Sequence, residues 1–87
     1  MTNVEKLKHV YVLASIDNAG KTVYLRSLHS AGQWEIVADI EMATKGSNMA
    51  TIELMRDFYE QETDNYNTFV IVPLEIEYRL VREDGDV

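Results

Sequence analysis

The chain has no cysteine among its 87 residues, so neither a disulfide framework nor a thiolate metal site is available to it. Proline occurs once and tryptophan once, and only eight lysines and arginines stand against fifteen acids. So few bases disfavour phosphate-backbone or anionic-membrane binding, because those contacts need Lys and Arg. No run approaches the roughly 18 to 20 apolar residues of a membrane span, and the opening Met1–Lys6 lacks the apolar stretch of a signal peptide. A soluble protein of a reducing cytoplasm is the expectation. At this length it is one domain, residues 1–87, with 1–7 as a loose lead-in and 83–87 as a frayed acidic tail.

What is present is an uneven charge. Residues 1–52 balance five acids (Glu5, Asp17, Glu35, Asp39, Glu41) with five bases, whereas residues 53–87 hold ten acids against Arg56, Arg79 and Arg82. The second half therefore carries the whole net charge of −7. Such a half suits a basic partner.

The one substantial helix signal runs from Ser47 to Glu62. On a helical wheel Ala50, Ile52, Leu54, Met55, Phe58 and Tyr59 fall in one wide apolar arc, opposite Glu53, Arg56, Asp57 and Glu60. Ser47 and Asn48 follow Gly46 and offer side-chain oxygens to first-turn amides. Leu54 and Phe58 lie near the middle of the arc and are the expected core anchors. Ile52 and Tyr59, at its edge, read as core margin or contact surface.

Around the helix the chain reads as strands. Lys8–Ile16 and Lys21–Leu28 are rich in β-branched and aromatic residues and flank Asp17-Asn18-Ala19-Gly20, a turn sequence, so they form a hairpin. Ser30-Ala31-Gly32 is a second turn, and Gln33–Val37 a third strand anchored by Trp34. Residues 38–45 read either as a continued strand or as one short helical turn capped by Asp39, and the short turn, ended by Gly46, is preferred. Residues 63–67 are a polar loop. Phe69–Arg82 then divides at Pro73: Phe69–Val72 is apolar throughout, as where both faces are covered, and Leu74–Leu80 alternates, as where one face is wet. Pro73 has no N–H and marks an edge, a bulge or a gap in pairing. The sum is an α+β domain: a three-strand antiparallel meander, a helix packed on the sheet, and a long last strand. A right-handed crossover gives sheet order 3-2-1-4 with the last strand parallel to the first.

Catalytic signals are weak. Gly20-Lys21-Thr22 matches only the end of a phosphate-binding loop, since Ser15 stands where the first glycine is needed and a strand follows in place of a helix. Asp17 and Asn18 lack the spacing of a calcium loop. Glu75 and Glu77 share one strand face and could serve acid/base work or a hard cation, yet Arg79 continues the row and a solvated face accounts for all three. His9 and His29 have no second ligand at metal spacing, and no Gly-x-Ser-x-Gly elbow is present. Trp34, Tyr11, Tyr24 and Phe69 read as core and strand-face residues. The expectation is a non-enzyme without cofactor or metal. Its candidate partner surface is Asp57, Glu60, Glu62, Glu75, Glu77 and the tail acids Glu83, Asp84 and Asp86.

Four stretches, Tyr11-Val12-Leu13, Thr22-Val23-Tyr24-Leu25, Trp34 with Asp39–Lys45, and Val70–Ile76, give the chain a layout that resembles small uncharacterised proteins encoded in phages and prophages of Gram-positive bacteria. The resemblance covers residues 10 to 80 and implies an accessory protein in the host cytoplasm, with no active-site residues to carry over. Gly46 departs from it, since similar proteins often carry a large residue there. Three classes of function stay open: a binder of a basic host or phage protein, such as an inhibitor of a defence nuclease that mimics nucleic acid; a structural or self-associating module, in which a homo-oligomer is formed; and an enzyme. Direct nucleic-acid binding and membrane association are not expected.

Overall fold

A computed structural model describes residues 4–28 and 33–79. Its elements in chain order are β1 (Val4–Ile16), β2 (Thr22–Ser27), β3 (Trp34–Val37), a short 3-10 turn (Ile40–Met42), α1 (Met49–Thr63) and β4 (Val70–Arg79). The four strands form one open antiparallel sheet in the order β3-β2-β1-β4. A small α+β domain of one helix and four strands results. The first strand begins at Val4, so residues 4–7 belong to the sheet and are not a lead-in. The Ser30–Gly32 turn, the end of the last strand after Arg79 and the acidic tail lie outside the described residues.

Local signals explain most of these boundaries. At the first hairpin the Asp17 carboxylate accepts from the amides of Ala19 and Lys21, both at 2.9 Å, and Gly20 takes φ +80°, a value that costs a residue with a Cβ. Asp39 caps the 3-10 turn by accepting from the Glu41 amide at 2.9 Å. Asn48 caps α1 the same way, accepting from Thr51 N at 2.9 Å. The helix stops at Asp64, which adopts the left-handed conformation that aspartate and asparagine tolerate better than other side-chain-bearing residues.

The strand order agrees with expectation, but β4 is antiparallel to β1, not parallel. The cause is the route into the helix. From the end of β3 the chain crosses β2 and enters a fork between β2 and β1, where Thr44 N donates to Leu25 O and Gly46 exchanges both backbone bonds with Tyr11 at 2.9 and 3.0 Å. The helix thus starts beside the middle of β1 and delivers the chain to Phe69 and Val70, opposite Ala14 near the end of β1. From there β4 can only run back.

The helix docks through Ile52 (1% exposed) and Tyr59 (5%), which join Leu13, Leu25 and Phe69 in the core, with Tyr11, Trp34, Met55 and Ile71 packed around them. Tyr59 sits edge-on to both Trp34 and Phe69, with ring centroids 5.5 and 5.3 Å apart, a preferred aromatic geometry. Leu54 (55% exposed) and Phe58 (50%), expected as the anchors, face solvent, and Ala50 is exposed as well. The reason lies at Gly46: a Cβ built there would meet Ile52 Cγ1 at 2.6 Å, so the helix nestles against a glycine and is turned to present Ile52 to the sheet.

Register partners share a sheet face, so the helix side carries Tyr11, Leu13, Ile71, Pro73, Glu75 and Glu77, while Val70, Val72, Leu74, Ile76 and Tyr78 point to the helix-free side. The alternation in β4 is real, with Leu74 and Ile76 half-buried and Glu75 and Glu77 exposed, but its apolar row faces away from α1. Phe69–Val72 is not covered throughout, since Val70 is exposed. On that far side Val10, Val12 and Ala14 are nevertheless buried, as is Val37 at the end of β3, and Ala43 in the segment that crosses β2 is buried too.

Candidate functional site

Two groups of the predicted carboxylates are described, and the structure keeps them apart. Asp57, Glu60 and Glu62 occupy the last two turns of α1, beside Tyr59 and hence Phe69. Glu75 and Glu77 stand six and eight residues further along β4, about 20 Å or more away at the strand rise. Glu83, Asp84 and Asp86 lie outside the described residues.

Several of these acids have structural work. Glu60 is half-buried and accepts from Asn67 N at 2.8 Å, closing the loop after the helix, in which Asn67 has positive φ. Glu62 accepts from Trp34 Nε1 at 3.0 Å and so ties the helix to edge strand β3. Glu75 lies opposite His9 in the register, with its carboxylate 3.4 Å from His9 Nε2. Both side chains are largely exposed, so the pair contributes at most about 1 kcal/mol. Glu77 is exposed opposite Leu7. Asp57 is exposed on the helix.

The edge at β4 is blunted. Tyr11 directs its N–H and C=O to Gly46, so its partner in the β4 register, Pro73, belongs to a pair without ladder bonds, and the proline nitrogen faces the outer edge. No ladder bond is lost. A proline and two glutamates along the same outward-facing backbone row discourage another strand from adding there.

What the sequence reading misplaced is the apolar surface on the helix, offered at Ile52 and Tyr59, which are buried, and found at Leu54 and Phe58, which are exposed. An open groove of about 290 Å³ runs between α1 and the β3 edge, lined by Ser27, Trp34, Thr44, Thr51, Leu54, Met55 and Phe58. Leu54 and Phe58 stand one turn apart on its rim and form a stripe. Asp57 and Glu62, both exposed, flank that stripe on the wheel, with exposed Glu53 further round the helix. The signal was available in the width of the apolar arc, which exceeds what one sheet face can cover.

Among the described residues no three His, Asp or Glu side chains come together as metal ligands, and no helix is long and apolar enough to cross a membrane. The Gly20-Lys21-Thr22 stretch is a hairpin turn running directly into β2. His9 pairs with a carboxylate in an exposed ribbon, and His29 lies outside the described residues. No protein-family model, curated protein or solved structure matches the chain.

Proposed function

We propose that this protein is a non-enzymatic binding module that engages a basic protein through the acid-rimmed stripe of α1. The observation that carries the reading is the exposure of Leu54 and Phe58 on a helix whose remaining wet surface holds Glu53, Asp57 and Glu62. Protein interfaces centre on desolvated apolar anchors, and their charged rims steer encounter and select the partner. A large aromatic half in water beside a groove supplies the anchor, and the carboxylates supply the rim. The proposal includes an accessory role in a host cytoplasm, as the resemblance to phage and prophage proteins implies. In that setting an acidic surface suits inhibition of a defence nuclease.

Glu75 and Glu77 stand too far from the stripe to share a compact footprint with it, so they add long-range attraction and not contact. The test is affinity capture from host lysate with mass-spectrometric identification, run with wild type, Phe58→Asp, Asp57→Lys and the Glu75→Lys/Glu77→Lys pair. A basic protein held by the wild type, lost with Phe58→Asp and with Asp57→Lys, and weakened by salt supports the reading, because exposed charge pairs act over only about 8 to 10 Å near physiological ionic strength. Capture indifferent to both helix variants rejects it.

A further inference from the structure

The two edges of the sheet are unlike. β4 is guarded by Pro73, Glu75 and Glu77, whereas β3, Trp34-Glu35-Ile36-Val37, carries neither proline nor lysine and pairs with β2 without a bulge. The backbone groups that β3 leaves open follow from the phase of its ladder. Leu28 N donates to Gln33 O at 3.1 Å, so in this register Arg26 and Glu35 form the next bonded pair, while Ser27 with Trp34 and Leu25 with Ile36 are pairs without ladder bonds. The inner strand agrees: Leu25 O and Ser27 N turn away from β3 and take Thr44 N at 3.2 Å and Thr44 Oγ1 at 2.7 Å. The N–H and C=O of Trp34 and of Ile36 therefore point out of the sheet. Both side chains lie on the helix side, where Ile36 is 56% exposed and Trp34 walls the groove that it shares with Leu54, Met55 and Phe58.

We infer that the basic partner binds through an extended segment that adds to β3 as a fifth, antiparallel strand, which rests on the reading of the α1 stripe as the binding surface. Three residues of such a segment close four backbone bonds. The first, opposite Ile36, exchanges N–H and C=O with it, and the third does the same with Trp34. Paired side chains share a face, so the first and third project to the helix side and the second to the side of Glu35.

The edge then selects a pattern. The first residue meets the exposed aliphatic chain of Ile36 and is apolar. The third stands beside the Trp34 indole, whose Nε1 donates to the exposed Glu62 carboxylate at 3.0 Å, so Arg or Lys there gains both the ring and the carboxylate. The second is uncharged, because Glu35 already has Arg26 at 3.2 Å. Beyond the third residue the segment passes the mouth of the groove toward Phe58 and Asp57, which joins the strand edge and the helix stripe in one footprint. A net charge of −7 favours a basic occupant over an acidic one. A second copy of the chain does not suit the edge, since pairing Trp34 of one with Ile36 of the other sets the two Glu35 residues against each other.

Panning a random dodecamer peptide library on the full chain supplies the probes. The enriched peptides are expected to be basic, with an apolar residue two positions before an Arg or Lys. In their complexes the amides of Trp34 and Ile36, without a ladder partner in the single chain, gain protection from hydrogen exchange, whereas the Glu35 amide, bonded to Arg26, is protected throughout. Methylating the peptide nitrogen at the apolar position should weaken binding at least about tenfold, and methylating the next nitrogen, which faces away from β3, should leave it within about twofold. Ile36→Pro removes one outward N–H and no ladder bond, and is expected to abolish peptide binding with a melting midpoint near wild type. The methylated peptides decide the matter even where that variant folds poorly. A library without binders, binding that tolerates methylation at both nitrogens, or Trp34 and Ile36 amides that stay unprotected in the complex overturns the inference. Phe58→Asp reads the helix stripe separately: peptides that lose affinity with it yet tolerate both methylations overturn the added strand and leave the stripe standing.

Discussion

Gly46→Ala is the smallest change that reaches the organising contact of the fold. The glycine is buried and its backbone is paired with Tyr11, and a Cβ there would stand 2.6 Å from Cγ1 and 2.9 Å from Cδ1 of Ile52. Ile52 cannot swing aside cheaply, since it is 1% exposed and packed among Leu13, Leu25, Tyr59 and Phe69. Overpacking of a well-filled site costs about 1–3 kcal/mol, less the roughly 0.4–1 kcal/mol that alanine gains by restricting the unfolded chain. Ile52→Ala alone leaves a cavity and costs about 2–5 kcal/mol. If the two residues acted separately, the double variant would lose the sum. Because the alanine methyl at position 46 occupies the space that Ile52 vacates, the double variant should be no less stable than Ile52→Ala, a coupling of about 1–3 kcal/mol. Urea melts of the four proteins followed by circular dichroism give the cycle directly. Additivity within about 0.5 kcal/mol would refute the reasoning, as would a Gly46→Ala variant more stable than wild type.

Leu54→Ala should cost under about 1 kcal/mol in the single chain, whereas Tyr59→Ala, which empties a buried aromatic site between Trp34 and Phe69, should cost about 3–5 kcal/mol by the same melts. Asn48→Ala removes the helix cap and should cost about 1 kcal/mol, with Asn48→Asp restoring it. Pro73→Thr should leave the melting midpoint nearly unchanged, because the proline nitrogen faces an open edge, and a drop of several degrees would mean that the register at Tyr11 is wrong.

The parts of this fold legible in the sequence are those set by neighbours in the chain. Asp17 and Gly20 announce their turn, Asp39 and Asn48 announce their caps, and the alternation of Leu74 through Ile76 shows a strand with two unlike faces. What was not legible depends on contacts between distant residues. The helical wheel shows an arc from Ile52 through Met55 to Leu54 but not which third of it meets the sheet, and that choice is made by Gly46 against Tyr11 and Ile52. The direction of β4 was misread for a related reason. The crossover rule concerns parallel neighbours, and the detour of residues 38–46 into the fork starts the helix halfway along β1 and turns the last strand round. In the candidate surface, residue types pointed to the acids, yet hydrogen-bonding partners decide the roles of two of them, since Glu62 braces Trp34 and Glu60 closes a loop, while Asp57 flanks the apolar stripe that the wheel had placed inside.

The most direct test of the binding account is a calorimetric titration of the captured basic partner into wild type and Phe58→Ala, with a melt of each protein alongside. The account predicts an affinity loss of at least about tenfold, 1.4 kcal/mol, with melting midpoints that agree closely. Equal affinities would contradict it, and so would a Phe58→Ala protein that melts far below wild type, since that would return Phe58 to the core and leave the helix without a surface to offer.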